Sequence, residues 1–229
     1  MTSTTDARTD TDHPIATADE NIAAWRELHK GSAYFNGHRR YQERFHDLGI
    51  AEITRYVNPG PSDTLLEVGC GYGRLLWHFR DRVERLIGVD LAAEPVEEAR
   101  AILEGHDATL HVGDGMTLAP VADETADVVV AFTVFQHMAR EVVRSNIDDI
   151  ARVLAPGGRF VAQFKGGDGE DNISPQVREQ AASYRVSQVA GLAEAAGLQV
   201  MAIERERLDK TYPNHNISWL WLVAHKLQG

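Results

Sequence analysis

Residues Leu65-Leu66-Glu67-Val68-Gly69-Cys70-Gly71-Tyr72-Gly73-Arg74 run an apolar strand into a turn with glycine at every second position, and a helix-forming stretch follows. Glycine lets such a turn take left-handed backbone angles and lets a ligand approach the main chain, while the first amides of the helix point outward as donors. The segments after it alternate. The pattern predicts strand 64–68, helix 73–82, strand 85–90, helix 94–104 and strand 108–112, followed by strand 127–132, helix 139–154 and strand 159–165. Helix 187–196, with Ser187 as its N-cap, and strands 198–205 and 217–226 complete it. Strands alternating with helices build a parallel sheet with its ligand at the carboxyl ends.

The residues around the turn narrow the ligand. A dinucleotide fingerprint needs glycine or alanine at the last position of Gly-x-Gly-x-x-Gly, where this chain has Arg74 in one register and Leu76 in the other. Glu67, at the strand end, would repel a pyrophosphate and attract a cationic or amino-bearing ligand. That chemistry points to S-adenosylmethionine. A second strand ends in Asp90, 23 positions after Glu67 and followed by Leu91. This is the spacing that sets a carboxylate beside the glycine turn to accept from ribose hydroxyls. A third strand runs into Gly113-Asp114-Gly115-Met116, where Asp114 stands ready to accept from an adenine amino group. A lone aspartate at any of these places also reads as a helix or turn cap. Acids at three successive strand ends read as a site.

On these motifs the chain resembles the class I S-adenosylmethionine-dependent methyltransferases over roughly residues 60 to 227. Asp127-Val128-Val129-Val130-Ala131-Phe132 resembles the family's fourth strand and Val153-Leu154-Ala155-Pro156-Gly157-Gly158-Arg159-Phe160 the turn into its fifth. The resemblance implies a doubly wound, Rossmann-like sheet of seven strands with the last antiparallel, and an N-terminal helical cap. It also implies a cofactor-binding set of Glu67, Gly69, Cys70, Gly71, Gly73, Asp90, Leu91, Asp114, Gly115, Met116, Phe132 and Gln136, with Tyr34 and Arg40 reaching in from the cap. The activity implied is methyl transfer to an oxygen or nitrogen of a small organic acceptor. A cofactor-binding protein without methyl transfer, and a nicotinamide-dependent oxidoreductase, are the alternatives.

Composition agrees. A chain of 229 residues suffices for one α/β domain. Residues 1–18, rich in Thr and Asp, read as a disordered tail, 19–58 as the helical cap and 59–229 as the cofactor-binding domain. A net charge of −11 and a pI near 5.3 oppose phosphate tracking, so no nucleic-acid partner is expected. Cys70 is the single cysteine, which excludes an internal disulfide and suits a small filler in the turn. No stretch has the pattern of a leader or a membrane span, and the expectation is a cytoplasmic monomer or homodimer.

The acceptor belongs after the fourth strand, at Phe132-Thr133-Val134-Phe135-Gln136-His137-Met138, the switch point of the topology. His137 is the candidate general base, since imidazole titrates near neutrality. The alternative is that Gln136 and His137 contact the cofactor or the next helix. Tyr34, Phe35, Tyr41 and Trp25 offer an apolar lid, although Trp25 and Phe45 at helical spacing also suit ordinary packing. Arg40 suits the methionine carboxylate, an acidic substrate or a surface pair. The loop Gly166-Gly167-Asp168-Gly169-Glu170-Asp171-Asn172 reads as a solvated gate whose carboxylates match no metal loop. No metal is assigned.

Overall fold

A computed structural model of the chain describes residues 17–28, 50, 53–167, 182–207 and 218–228. Helix α1 (Ala18–Leu28) comes first, and a short helical stretch at 53–57 leads into β1 (Thr64–Val68). Then follow α2 (Arg74–Phe79), β2 (Arg85–Asp90), α3 (Ala93–Ile102), β3 (Ala108–Val112) and β4 (Ala126–Ala131). A 3-10 turn (Phe135–His137) precedes α4 (Arg140–Val153) and β5 (Leu154–Gly166). The two-residue β6 (Ser183–Tyr184), α5 (Val186–Ala195), β7 (Leu198–Arg207) and β8 (Ser218–Lys226) complete the fold.

The sheet runs β3-β2-β1-β4-β5-β8-β7, with β6 attached to β5. Strands β1 to β5 are parallel, and β8 is antiparallel to both β5 and β7. This is the expected doubly wound sheet with its last strand reversed, enlarged by the short β6. Each central strand is apolar on both faces because each face is covered. Leu66, Val129, Phe160 and Leu222 pack with α4 and α5 on one side. Leu65, Val128, Val161 and Trp221 pack on the other with Leu75, Val96 and the 53–57 stretch. The tryptophans of β8 point to that second side: Trp221 is fully buried and stacks on Tyr56 (centroids 4.9 Å apart) and Phe132 (5.9 Å).

Several element ends differ from the sequence reading. Helix α2 stops at Phe79, three residues early, followed by the turn that delivers β2. Helix α5 starts at Val186 with Arg185 rather than Ser187 as its N-cap, the Arg185 N–H donating to the Gln188 side chain at 2.9 Å. Strand β5 reaches back to Leu154, which pairs with Ala126 before the ladder shifts register. The intervening Ala155-Pro156-Gly157-Gly158 bend, with Gly157 at φ 81°, stays inside the strand. Residues 1–16 of the expected tail, and the cap between 29 and 49, lie outside the described residues.

Candidate active site

The turn after β1 is built on backbone geometry that side chains oppose. Gly69, Gly71 and Gly73 all have positive φ (69°, 48° and 72°), and a Cβ on Gly69 would stand 2.4 Å from Val134 Cγ2. A Cβ on Gly71 would meet nothing within 4 Å, because Gly71 faces open space. The Asp90 carboxylate ties the turn to β2: Oδ2 accepts the Gly71 N–H at 2.9 Å and Oδ1 the Ala92 N–H at 2.9 Å. The Gly69 and Cys70 amides donate to the Val89 carbonyl.

This turn forms one wall of a cavity of about 290 Å³ at the carboxyl edge of the sheet. Val68, Gly69, Gly71, Asp90 and Leu91 line it from β1 and β2, Gly115, Thr117 and Leu118 from the loop after β3, and Thr133, Val134 and His137 from the segment after β4. Helix α1 supplies Asn21, Ile22 and Trp25 on the opposite side, and α4 supplies Val142 and Asn146.

Helix α1 is held there by specific bonds. Asn21 is 2% exposed; its Nδ2 donates to the His137 carbonyl at 3.1 Å and its Oδ1 accepts the Ala139 N–H at 3.1 Å. The Trp25 indole donates to the same His137 carbonyl at 2.9 Å, and the two rings meet edge to face with centroids 5.0 Å apart. Arg26 donates to the Asp114 carbonyl at 3.0 Å, and Glu141 accepts the Ala18 N–H at 3.0 Å. Asn146 donates to the Gly115 carbonyl at 3.1 Å and so fixes the loop after β3.

The structure brings Gly69, Gly71, Asp90, Leu91, Gly115 and His137 together around this cavity. The other cofactor residues anticipated from sequence, among those described, do not line it. Strand alternation turns Val68 toward the cavity and Glu67 to the opposite face, where it is 4% exposed and Oε2 has no hydrogen-bond partner among the described residues. Burial pushes the Glu67 carboxyl well above its ordinary value, against the pull of the Arg74 guanidinium. Cys70 is buried with Leu75 and Leu76, its thiol raised well above its usual range by burial, and Gly73 abuts Ala99 of α3. Asp114 closes its own turn, accepting the Met116 and Thr117 amides at 2.7 Å and the Thr117 hydroxyl at 2.8 Å. Burial opposes these bonds, but together they hold it below the usual carboxylate range. Met116 packs against the core, Phe132 under Trp221, and Gln136 is 5% exposed with Oε1 unpartnered among the described residues. Tyr34, Phe35, Arg40, Tyr41, Phe45 and Asp168-Gly169-Glu170-Asp171 lie outside the described residues. No cluster of metal-ligating side chains occurs among the described residues, and no described helix is long and apolar enough to cross a membrane.

Asn21 and Asn146 were not singled out from sequence, and Ile22 was read only as an apolar position at helical spacing with Trp25. The available signal was an amide set in an apolar stripe: Asn146 falls among Val142, Val143, Ile147 and Ile150 of α4.

Residues 66–162 match a family described as a methyltransferase domain. The chain is 30% identical over 115 residues to an uncharacterized methyltransferase of Schizosaccharomyces pombe, covering 49% of this chain and 44% of the relative. It is 32% identical over 114 residues to a dTDP-3-amino-3,4,6-trideoxy-alpha-D-glucopyranose N,N-dimethyltransferase of Streptomyces venezuelae, covering 50% and 47%. The chain thus spans about half the length of the curated relatives it matches. Its fold superposes on a 1,6-didemethyltoxoflavin-N1-methyltransferase of Burkholderia thailandensis with a TM-score of 0.73 at 19% identity, over 95% of this chain and 93% of that one. The glycine turn and its aspartate anchor lie inside the residues that match the methyltransferase domain.

Proposed function

We propose that the protein transfers a methyl group from S-adenosylmethionine to an oxygen or nitrogen of a small organic acceptor. The observation that carries this reading is the cavity walled by Gly69, Gly71 and Asp90 on one side and by α1 on the other. Its parts suit the cofactor. Gly71 leaves open space where a side chain would stand, and Asp90 stands at the end of β2 where ribose hydroxyls donate. The Glu67 carboxyl behind the turn, with Oε2 unpartnered among the described residues, is a latent negative charge that a nearby cation would favour. S-adenosylmethionine, when bound, supplies the methyl group as an electrophile.

The protein's own contribution is positioning and exclusion of water. Ile22 and Trp25 close the cavity from above, and Val142 and Leu118 complete its apolar side. His137 stands at the cavity wall, its carbonyl fixed by Asn21 and Trp25, and takes the proton that an acceptor hydroxyl or amine gives up. The Streptomyces relative is named for methylation of an amino-sugar nitrogen, and the Burkholderia structure for methylation of a ring nitrogen with S-adenosylhomocysteine bound; both support a small acceptor. We further propose a single cofactor-binding domain from about residue 59, with α1 as part of a cap, and an intracellular monomer or homodimer without nucleic-acid partners.

Calorimetric titration with S-adenosylhomocysteine and, separately, NADH tests the reading. Binding of the first and not the second, weakened in Asp90→Ala, is expected. NADH binding alone would replace it with hydride transfer.

A further inference from the structure

On α4 a polar ridge at spacing three, Asn146, Asp149 and Arg152, meets the loop that joins β3 to β4. All three side chains bond the main chain of that loop. The Asn146 amide donates to the Gly115 carbonyl at 3.1 Å, and the Asp149 carboxylate accepts the Leu118 N–H at 2.5 Å. The Arg152 guanidinium donates to the Leu118 carbonyl at 3.1 Å and to the Val121 carbonyl at 2.9 Å. Arg152 also donates to the two Asp149 oxygens, at 2.6 and 3.0 Å, so one bidentate ion pair holds both main-chain groups of Leu118.

An ion pair on a helix surface is by itself worth little. This one is partly enclosed, with the Asp149 side chain 19% exposed, and the Arg152 bond holds the Asp149 carboxyl below its ordinary value against the pull of burial. The main-chain groups it grips belong to a wall of the cavity. Gly115, Thr117 and Leu118 line that wall, Leu118 is buried, and Ile22 of α1 lies 3.3 Å from where a Gly115 Cβ would stand. The loop is thus held between α1 and the α4 ridge, and the ridge sets where the wall stands. A misplacement of about 1 Å in such a site costs on the order of 10²-fold.

Strand order decides which part of the cofactor meets that wall. The sheet runs β3-β2-β1-β4, and the cavity is lined by His137 after β4, the glycine turn after β1, Asp90 at the end of β2 and the 115–118 segment after β3. A cofactor laid with its methyl group toward His137 and its ribose at Asp90 therefore carries its purine to the wall after β3.

We propose, resting on the methyl-transfer reading, that Asp149 and Arg152 are positioning residues for the purine end of the cofactor, acting through the main chain of Leu118. Neither lines the cavity. They set the wall against which the ring packs. The exposed Asp123 carboxylate, which accepts from Arg152 at 2.6 Å on the solvent side, takes no part in this.

The test is calorimetric titration of the full chain, well below the melting temperature of every variant. The probes are S-adenosylhomocysteine and 5′-methylthioadenosine, which keeps the purine and ribose but lacks the amino-acid end. Asp149→Ala and Arg152→Met are expected to weaken both ligands by the same factor, about tenfold or more, while Asp123→Asn changes neither beyond about twofold. A tie that only stabilises the fold would lower the melting temperature and leave both affinities at the wild-type value. That result overturns the proposal, and so does a loss confined to adenosylhomocysteine. Should Asp149→Ala or Arg152→Met not fold, Arg152→Lys decides. It keeps the charge but lacks the planar fork that serves Asp149 and Leu118 side by side, so both ligands should weaken by about threefold or more, and unchanged affinity overturns the role. Failure of adenosylhomocysteine to bind the wild type sinks the methyl-transfer reading instead.

Discussion

The amide of Asn21 bridges two consecutive turns of the catalytic edge, donating to the carbonyl of His137 while accepting the N–H of Ala139, each at 3.1 Å. One buried side chain thus joins helix α1 to the segment that carries the candidate base. Asn21→Ala removes one donor from the His137 carbonyl, where Trp25 also donates, and leaves the Ala139 amide without this partner. Unmade buried bonds of this kind cost about 1–3 kcal/mol each. The expected result is a fall in melting temperature of roughly 2–4 °C per kcal/mol lost. Weaker adenosylhomocysteine binding should accompany it, because α1 is a wall of the cavity. Unchanged affinity in calorimetry would show that α1 packs without shaping the site.

Asp90 holds the glycine turn through two charge-assisted bonds, to Gly71 and Ala92. Hydrogen bonds to a charged group contribute about 1.5–3 kcal/mol each. Asp90→Ala should therefore weaken adenosylhomocysteine binding at least tenfold, and Asp90→Asn less, since the amide retains one acceptor oxygen. Equal losses in the two variants would mean that the charge, which both remove, and not the retained acceptor carries the affinity.

His137 gives a sharper split between its two readings. As a general base it contributes about 10² to 10⁴ in rate. His137→Gln should then lower kcat by that order with an identified acceptor while adenosylhomocysteine affinity stays within a few fold. If the affinity falls in step with the rate, His137 is a wall of the cofactor cavity and the base lies elsewhere.

Strand order and the glycine turn were legible in the sequence because both are local: apolar runs separated by helices give a parallel sheet, and alternate glycines mark a turn that side chains cannot make. The strand bounds of β1, β2 and β3 follow directly from that pattern. Which end-of-strand residues face the cavity was less legible. Glu67 and Asp90 both close strands, yet pleat alternation sends Glu67 behind the wall, while Asp90 lines the cavity and its carboxylate turns back onto Gly71. Asp114 is bound by its own turn, the ordinary fate of an aspartate two residues before an amide. Asn21 left no sequence signal, because its meaning comes from residues more than a hundred positions away.

Gly69 is fixed by two separate constraints, and they separate experimentally. Its φ of 69° strains any Cβ, and that Cβ would lie 2.4 Å from Val134 Cγ2. Gly69→Ala should lose cofactor binding and lower the melting temperature. Adding Val134→Ala removes the Cγ2 contact but leaves the residue-134 Cβ 3.0 Å from the new methyl and leaves the backbone strain, which costs about 1–2 kcal/mol. The double variant should therefore recover part of the stability lost by Gly69→Ala. No recovery would show that the Cγ2 contact is not what demands glycine at this position.

Glu67 sets a stability that depends on pH in the direction opposite to a paired carboxylate. Burial raises its folded value well above the ordinary 4.5, with the nearby Asp90 carboxylate adding to the rise and Arg74 opposing it. Below 4.5 the group is protonated in both folded and unfolded chains and adds no pH dependence. As pH rises from 4.5 through the folded value, the unfolded chain gives up the proton more readily, so the folded state loses stability. Asp114 and Asp149, both held below their ordinary value, act in the opposite sense and at lower pH, and the half-buried His111 and His225, held below theirs, also cost stability only as pH falls. These groups cancel when wild type is compared with Glu67→Gln. The variant should melt close to wild type at pH 4.5 and above it at pH 8, by at least the roughly 2–4 °C that corresponds to about 1 kcal/mol in a chain of this size. Parallel melting curves across that range would mean that Glu67 is ionised in the folded protein, its charge answered by Arg74.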